Sequence, residues 1–164
     1  LEHPDCPCRA ANGPFTITSK NDVLIRYADV LLWKAEALIE LGRQSEALPI
    51  INQIRDRAAN SVGRLNGAGI YNVQPYAAFA SQDHARQALR FERRLELGLE
   101  GHRFFDLVRW GIAKQWLDGY LSVERTRRPY LNDANFQAGK NEYMPIPQTQ
   151  INLSAGLYQQ NPGY

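Results

Sequence analysis

The sequence predicts a mainly α fold, built of helical hairpins with long loops and an extended C-terminal tail. Three observations carry that prediction. Apolar residues recur at alternating spacings of three and four between Leu24 and Ala58, the period of helices with one buried face. The stretch Arg90–Gly111, RFERRLELGLEGHRFFDLVRWG, crowds charges among Phe91, Leu95, Phe104, Phe105, Val108 and Trp110. Neither set can be wholly buried or wholly solvated, so this segment must be a helix that turns and re-enters as a second. Pro145 and Pro147 force extended backbone on their predecessors and bar a central strand.

Taken in order, residues 1–20 hold Pro4, Pro7, Gly13 and Pro14 and read as an extended lead-in, with a short strand at Phe15–Thr18. Residues 21–164 form the helical domain. Helix one starts near Asn21 or Asp22, either able to cap it, and its stripe is Leu24, Ala28, Leu31, Ala35 and Leu38. Gly42 ends it. Ser45 caps helix two, whose stripe is Ala47, Ile51, Ile54 and Ala58, with Pro49 in the first turn. Small Ala35 and Ala47, with Leu31, Leu38, Gly42 and Ile51 at compatible offsets, give this pair a tetratricopeptide-like pattern. Residues 60–81 change character, with Asn60, Gly63, Asn66, Gly67, Gly69 and Pro75; a loop of that length is often functional. Helix three runs from Ser81 to Leu99 on a stripe of Ala88, Phe91, Leu95 and Leu99. Helix four starts at Gly101, carries Phe105, Val108, Ile112 and Trp116 inward, and closes at Gly119. Residues 121–140 form a polar loop, basic at Arg125, Arg127 and Arg128.

Composition excludes several classes. With 44% hydrophobic and 22% charged residues in 164, the chain is an ordinary folded domain and not a disordered segment. Nineteen basic residues against 17 acidic leave a net charge of +2, too balanced for a nucleic-acid binder. No apolar run approaches the roughly 18 residues of a membrane span. The best candidate, around Val30–Trp33, is interrupted by Asp29 and Lys34. The start lacks a basic segment followed by an apolar one, so no signal peptide is read there. The chain opens on Leu1 and is expected to be a fragment or a processed form. His3, Cys6 and Cys8 are too few for a structural zinc site, and a Cys6–Cys8 bridge would close a strained ring, so no metal and no cofactor are expected.

Two constellations could carry chemistry. Glu92, Glu96 and Glu100 line one helix face, and carboxylate pairs can serve as general acid and base. Arg93, Arg94, His102, Arg103, Asp106 and Arg109 lie close by. The group Glu92, Arg93, Glu96, Glu100, His102, Arg103, Asp106 and Arg109 therefore reads as a structural charge network fixing how helix three meets helix four. His102 has neither a nucleophile nor a GxSxG element to work with, and no catalytic residue is assigned. The second constellation is aromatic. Tyr71, Tyr76, Trp116, Tyr120 and Tyr130 fall in or beside loops, where flat rings can receive the C–H face of a sugar. Arg64, Asn66 and Asn72 could bond its hydroxyls. The plainer alternative is that these rings anchor loops to the body.

Four segments resemble the C-terminal part of the SusD/RagB family. They are RYADVLLWKAEALIELG (Arg26–Gly42), INQIRDRA (Ile51–Ala58), ERRLELGLEGHRFFDLVRWG (Glu92–Gly111), and the closing MPIPQTQI (Met144–Ile151) with QNPGY (Gln160–Tyr164). The resemblance implies a tetratricopeptide-like scaffold. It also implies a non-enzymatic surface protein that captures an oligosaccharide or other nutrient and passes it to a SusC-like TonB-dependent transporter. The location it implies is the outer face of the outer membrane. Family members are longer and carry a lipid on an N-terminal cysteine; that anchor is not carried onto Cys6 and is expected to lie outside this chain. The matching segments are scaffold, so no ligand-binding residue transfers by motif. Two other readings stand beside this one: an intracellular helical-repeat scaffold binding a peptide or protein, and a glycoside hydrolase using Glu96 and Glu100.

Overall fold

The structure, a computed structural model, describes residues 23–61 and 71–164, with the backbone of residues 9–10 and 17–18. It is mainly α. Two short strands, β1 (Arg9–Ala10) and β2 (Ile17–Thr18), pair antiparallel, Arg9 opposite Thr18 and Ala10 opposite Ile17. Six α-helices follow among the described residues: α1 (Tyr27–Glu40), α2 (Gln44–Ala59), α3 (Gln82–Glu96), α4 (His102–Arg109), α5 (Ala113–Glu124) and α6 (Gln148–Leu153). The chain divides into two compact units, Leu1–Glu96 and Leu97–Tyr164.

In the first unit, α1 and α2 form the expected hairpin and α3 packs on it. The hairpin turns at Gly42, whose φ of +74° suits a residue without a Cβ. Arg43 N–H donates to Leu38 C=O and Gly42 N–H to Ile39 C=O, the paired bonds of a Schellman ending. Leu32, Ala35 and Ile39 of α1 close on Ala47, Ile51 and Ile54 of α2 and on Ala85 and Leu89 of α3. Ala35 and Ala47 are fully buried, so small side chains sit where helix axes approach.

Several expected details are corrected. Helix one begins at Tyr27, five residues or more past its expected cap, and Leu24 is exposed. Its buried face is Asp29, Leu32, Ala35 and Ile39, with Leu31 and Leu38 at the margin. The position expected for a Ser45 cap is taken by Arg43, which grips Glu46 in the first turn through two bonds of 2.7 Å. Pro49 therefore falls in the second turn and leaves the Ser45 carbonyl without a helical donor. Ser81 does cap α3, accepting from His84 N–H at 3.1 Å. The buried face of α3, however, is Ala85, Ala88, Leu89, Glu92 and Arg93, while Phe91, Leu95 and Leu99 are exposed.

The second unit replaces the single expected helix four by α4 and α5. The break is Gly111 (φ +68°), where Ile112 N–H donates to Leu107 C=O and Gly111 N–H to Val108 C=O. It is the same ending as at Gly42. Gly119 lies inside α5 and closes nothing. Leu107, Ala113 and Phe136 make the core, packed by Phe104, Val108, Ile112, Trp116 and Leu117, while Phe105 faces solvent. Residues 125–136 are held by cations on carbonyls: Arg125 donates to Leu131 and Ala134, and Lys114 to Phe136 at 3.2 Å.

The tail is not extended throughout, since α6 interrupts it. From Tyr143 to Tyr164 there is no Asp, Glu, Lys, Arg or His, and no residue there is buried. Side chains bonding to backbone hold it instead. The Gln160 amide accepts from Ile146 N–H at 2.8 Å and donates to Ile146 C=O at 2.9 Å. Asn161 donates to Met144 C=O, and the Tyr164 hydroxyl to Tyr143 C=O.

Candidate functional site

The charged residues of α3 face the first hairpin. Arg93 donates to Asp29 Oδ1 at 2.7 Å, and both side chains are 1% exposed or less. Glu92 accepts from Arg55 of α2 and from the Tyr76 hydroxyl. Glu96 accepts from Arg26 at 2.9 Å and Arg57 at 2.5 Å, while its carbonyl takes a second Arg26 bond. This half of the charge network fixes the seat of α3 on α1 and α2, a pairing the spacing did not reveal. Asp29 and Arg55, its two central partners, were missed as well. The available signal was Asp29 in the middle of an apolar run, where an acid has to find a cation. In the second unit Asp106 is buried and accepts from Arg109 at 2.9 Å. Glu100 lies in the turn before α4 and His102 opens that helix, half-buried.

The aromatic candidates are divided between the units. Arg64 and Asn66, with His3, Cys6 and Cys8, lie outside the described residues. Tyr71 is exposed, and Asn72 accepts from Gln74 at 3.2 Å. Tyr76 is an anchor. Asn52 grips its backbone from both sides, accepting from N–H and donating to C=O, each at 2.8 Å. Arg55 lies 4.5 Å from its ring centre and Phe79 packs 5.5 Å away. Burial, and then the charge of Glu92, push its phenol up from the ordinary tyrosine range.

Trp116 and Tyr120 are brought together. One turn apart on α5, their rings stack with centres 6.0 Å apart and planes 7° apart. Tyr120 is 42% exposed. Parallel rings of which one is partly in solvent can offer a flat apolar platform for a sugar. Tyr130 is 77% exposed on the turn Pro129–Leu131. A separate hollow of about 260 Å³ lies at the end of α2, lined by Asp56, Arg57, Asn60 and Ser61. None of the candidate aromatics lines it.

Comparison with known proteins now adds to this geometry. A family model, described as the SusD family, matches residues 10–164. SusD-like protein P38 of Formosa agariphila is 43% identical over 60% of this chain and 18% of its own length. SusD-like proteins P2 and P25 of the same organism are 30% and 36% identical, over 90% and 93% of this chain and 26% and 27% of theirs. The crystal structure of a SusD homolog from Bacteroides thetaiotaomicron matches with a TM-score of 0.64 and 32% identity, covering 86% of this chain and 26% of that one. The chain thus spans about a quarter or less of the length of these relatives.

Proposed function

The chain belongs to the SusD/RagB family, and from that premise we propose that it forms part of a nutrient-binding protein that captures an oligosaccharide and passes it to a SusC-like, TonB-dependent transporter. The observation carrying this reading is the family match across residues 10–164. The open Trp116–Tyr120 stack supports it, as a platform suited to a pyranose. Tyr130, exposed in the same unit, is a further contact within the reading, and Tyr71, exposed in the first unit, is a candidate contact on its own.

Capture without bond cleavage is supported by the fate of Glu96, one of the two carboxylates the hydrolase reading would use. Its side chain is nearly buried and occupied by Arg26 and Arg57. The reading also assigns the protein to the outer face of the outer membrane, held there by a lipid anchor. No helix among the described residues is long and apolar enough to cross a membrane.

Isothermal titration of the full chain against a panel of oligosaccharides tests the reading. Binding heat with at least one neutral or acidic glycan is expected. Silence across the panel overturns glycan as the nutrient. Co-purification of a TonB-dependent transporter from solubilised outer membranes tests the hand-over, and its absence in mild detergent counts against that step.

A further inference from the structure

Between Arg103 and Tyr120, cations and rings alternate. The Arg109 guanidinium lies 5.0 Å from the Trp110 ring centre. The Arg103 guanidinium lies 5.9 Å from Trp110 and 4.8 Å from Trp116, and Trp116 stacks on Tyr120. The series ends in a ring that is substantially open to solvent. Helix α5 sets the spacing of Trp116 and Tyr120, but helix geometry does not set the tilt of an indole. What lies against the indole does, and here that includes the Leu107, Ala113 and Phe136 cluster and a planar cation from the preceding helix.

We propose that Arg103 is the positioning residue of this platform and that it sets the ligand class as a sugar ring instead of an organic cation; the proposal rests on the glycan reading above. Stacked aromatic faces attract two kinds of guest. A cation is drawn by the ring quadrupole, and a pyranose by the contact of its C–H face with the ring. Arg103 already satisfies the Trp116 ring with positive charge, and a second cation nearby meets repulsion. A sugar meets none, and it finds Tyr120 held parallel to a ring that cannot swing away.

The full chain and its Arg103→Met, Arg103→Lys and Tyr120→Ala variants are titrated with maltohexaose, cellohexaose, xylohexaose and an oligogalacturonide, and separately with tetramethylammonium. Near-ultraviolet circular dichroism follows the coupled rings. Tyr120→Ala is expected to weaken the bound sugar by about tenfold or more, and Arg103→Met by about two- to tenfold with loss of the ring signal. Arg103→Lys, which keeps the charge but not the planar stacking group, is expected to fall between the parent and Arg103→Met, and tetramethylammonium to bind none of the four. If Arg103→Met does not fold, the lysine variant decides, and parent-like sugar binding and dichroism in it overturn the positioning role. Parent-like binding and dichroism in Arg103→Met overturn it too, leaving the glycan reading intact when Tyr120→Ala still fails. Tetramethylammonium competing with sugar overturns the ligand class. If the parent binds no sugar, the glycan reading falls and takes the ligand class with it, while the dichroism still decides the positioning role.

Discussion

The two units of this chain are held together by different means. In the first, three helices seal an apolar seam of Leu32, Ala35, Ile39, Ala47, Ile51, Ile54, Ala85 and Leu89, with the Asp29–Arg93 pair buried beside it. In the second, the buried cluster is Leu107, Ala113 and Phe136, and much of the remaining order comes from side chains bonded to backbone. The contrast teaches that burial and hydrogen bonding can each take the leading part in one polypeptide. The first gives large cooperative energies, the second local ones. One device appears in both: Asn52 grips the Tyr76 backbone as Gln160 grips that of Ile146.

Four measurements sharpen or break that contrast. The largest effect is expected from Asp29→Ala, which removes the buried carboxylate that Arg93 grips and should cost about 3–5 kcal/mol in urea unfolding. Replacing both partners by leucine should recover much of that loss; a double variant as unstable as the single one contradicts the account. Next comes Ile51→Ala in the seam, at about 2–5 kcal/mol by the same assay. A cost below 1 kcal/mol would mean that the seam is loosely filled.

Gln160→Ala should act locally. It should cost about 1 kcal/mol and abolish the hydrogen-exchange protection of the Ile146 amide while leaving α1–α3 amides unchanged. Loss of protection in the first unit would erase the distinction drawn above. The smallest effect is electrostatic. Arg86 donates two 2.7 Å bonds to Glu40, and that bonding, more than charge alone, holds the carboxyl below its ordinary value. A carboxyl lowered in the folded state contributes stability above its unfolded value, and the contribution disappears as pH falls through the folded one. Half of the Glu40 side chain is in water, so a pH titration of Glu40→Gln against the parent should differ by less than about 1 kcal/mol, and only above the carboxylate range.

Legibility in the sequence followed the same division. The hairpin, its turn at Gly42 and the inward residues of α2 were readable, because α2 alternates cleanly between apolar and polar. Helix α1 was placed at the wrong phase because it is apolar nearly all round. Tyr27, Val30, Trp33 and Leu41 are exposed, so more than one stripe can be drawn along it. The face of α3 was misassigned for the converse reason. Its inward side includes Glu92 and Arg93, which polarity alone puts in water and only a partner from another helix can bring inside. Gly111 uses the same bonds as Gly42 but was read through, since Val108, Ile112 and Trp116 keep helical spacing across it. In the candidate site, the spacing of Trp116 and Tyr120 was visible as one helical turn. The Arg103 contact was not, because it depends on the angle between two helices. Among the described aromatics Tyr76 looked equivalent to Tyr120; Asn52 and Arg55, remote in sequence, give it a different task.

The grip of Gln160 on Ile146 carries one more consequence. A primary amide is a peptide group freed from its chain, so it can imitate a neighbouring strand a single residue long and then stop. Met144 and Ile146 sit in an uncharged stretch without lysines, where Pro145 and Pro147 already remove two of the donors an edge would offer. Here the amide and carbonyl that remain between those prolines, at Ile146, are capped by a surrogate that cannot itself be extended.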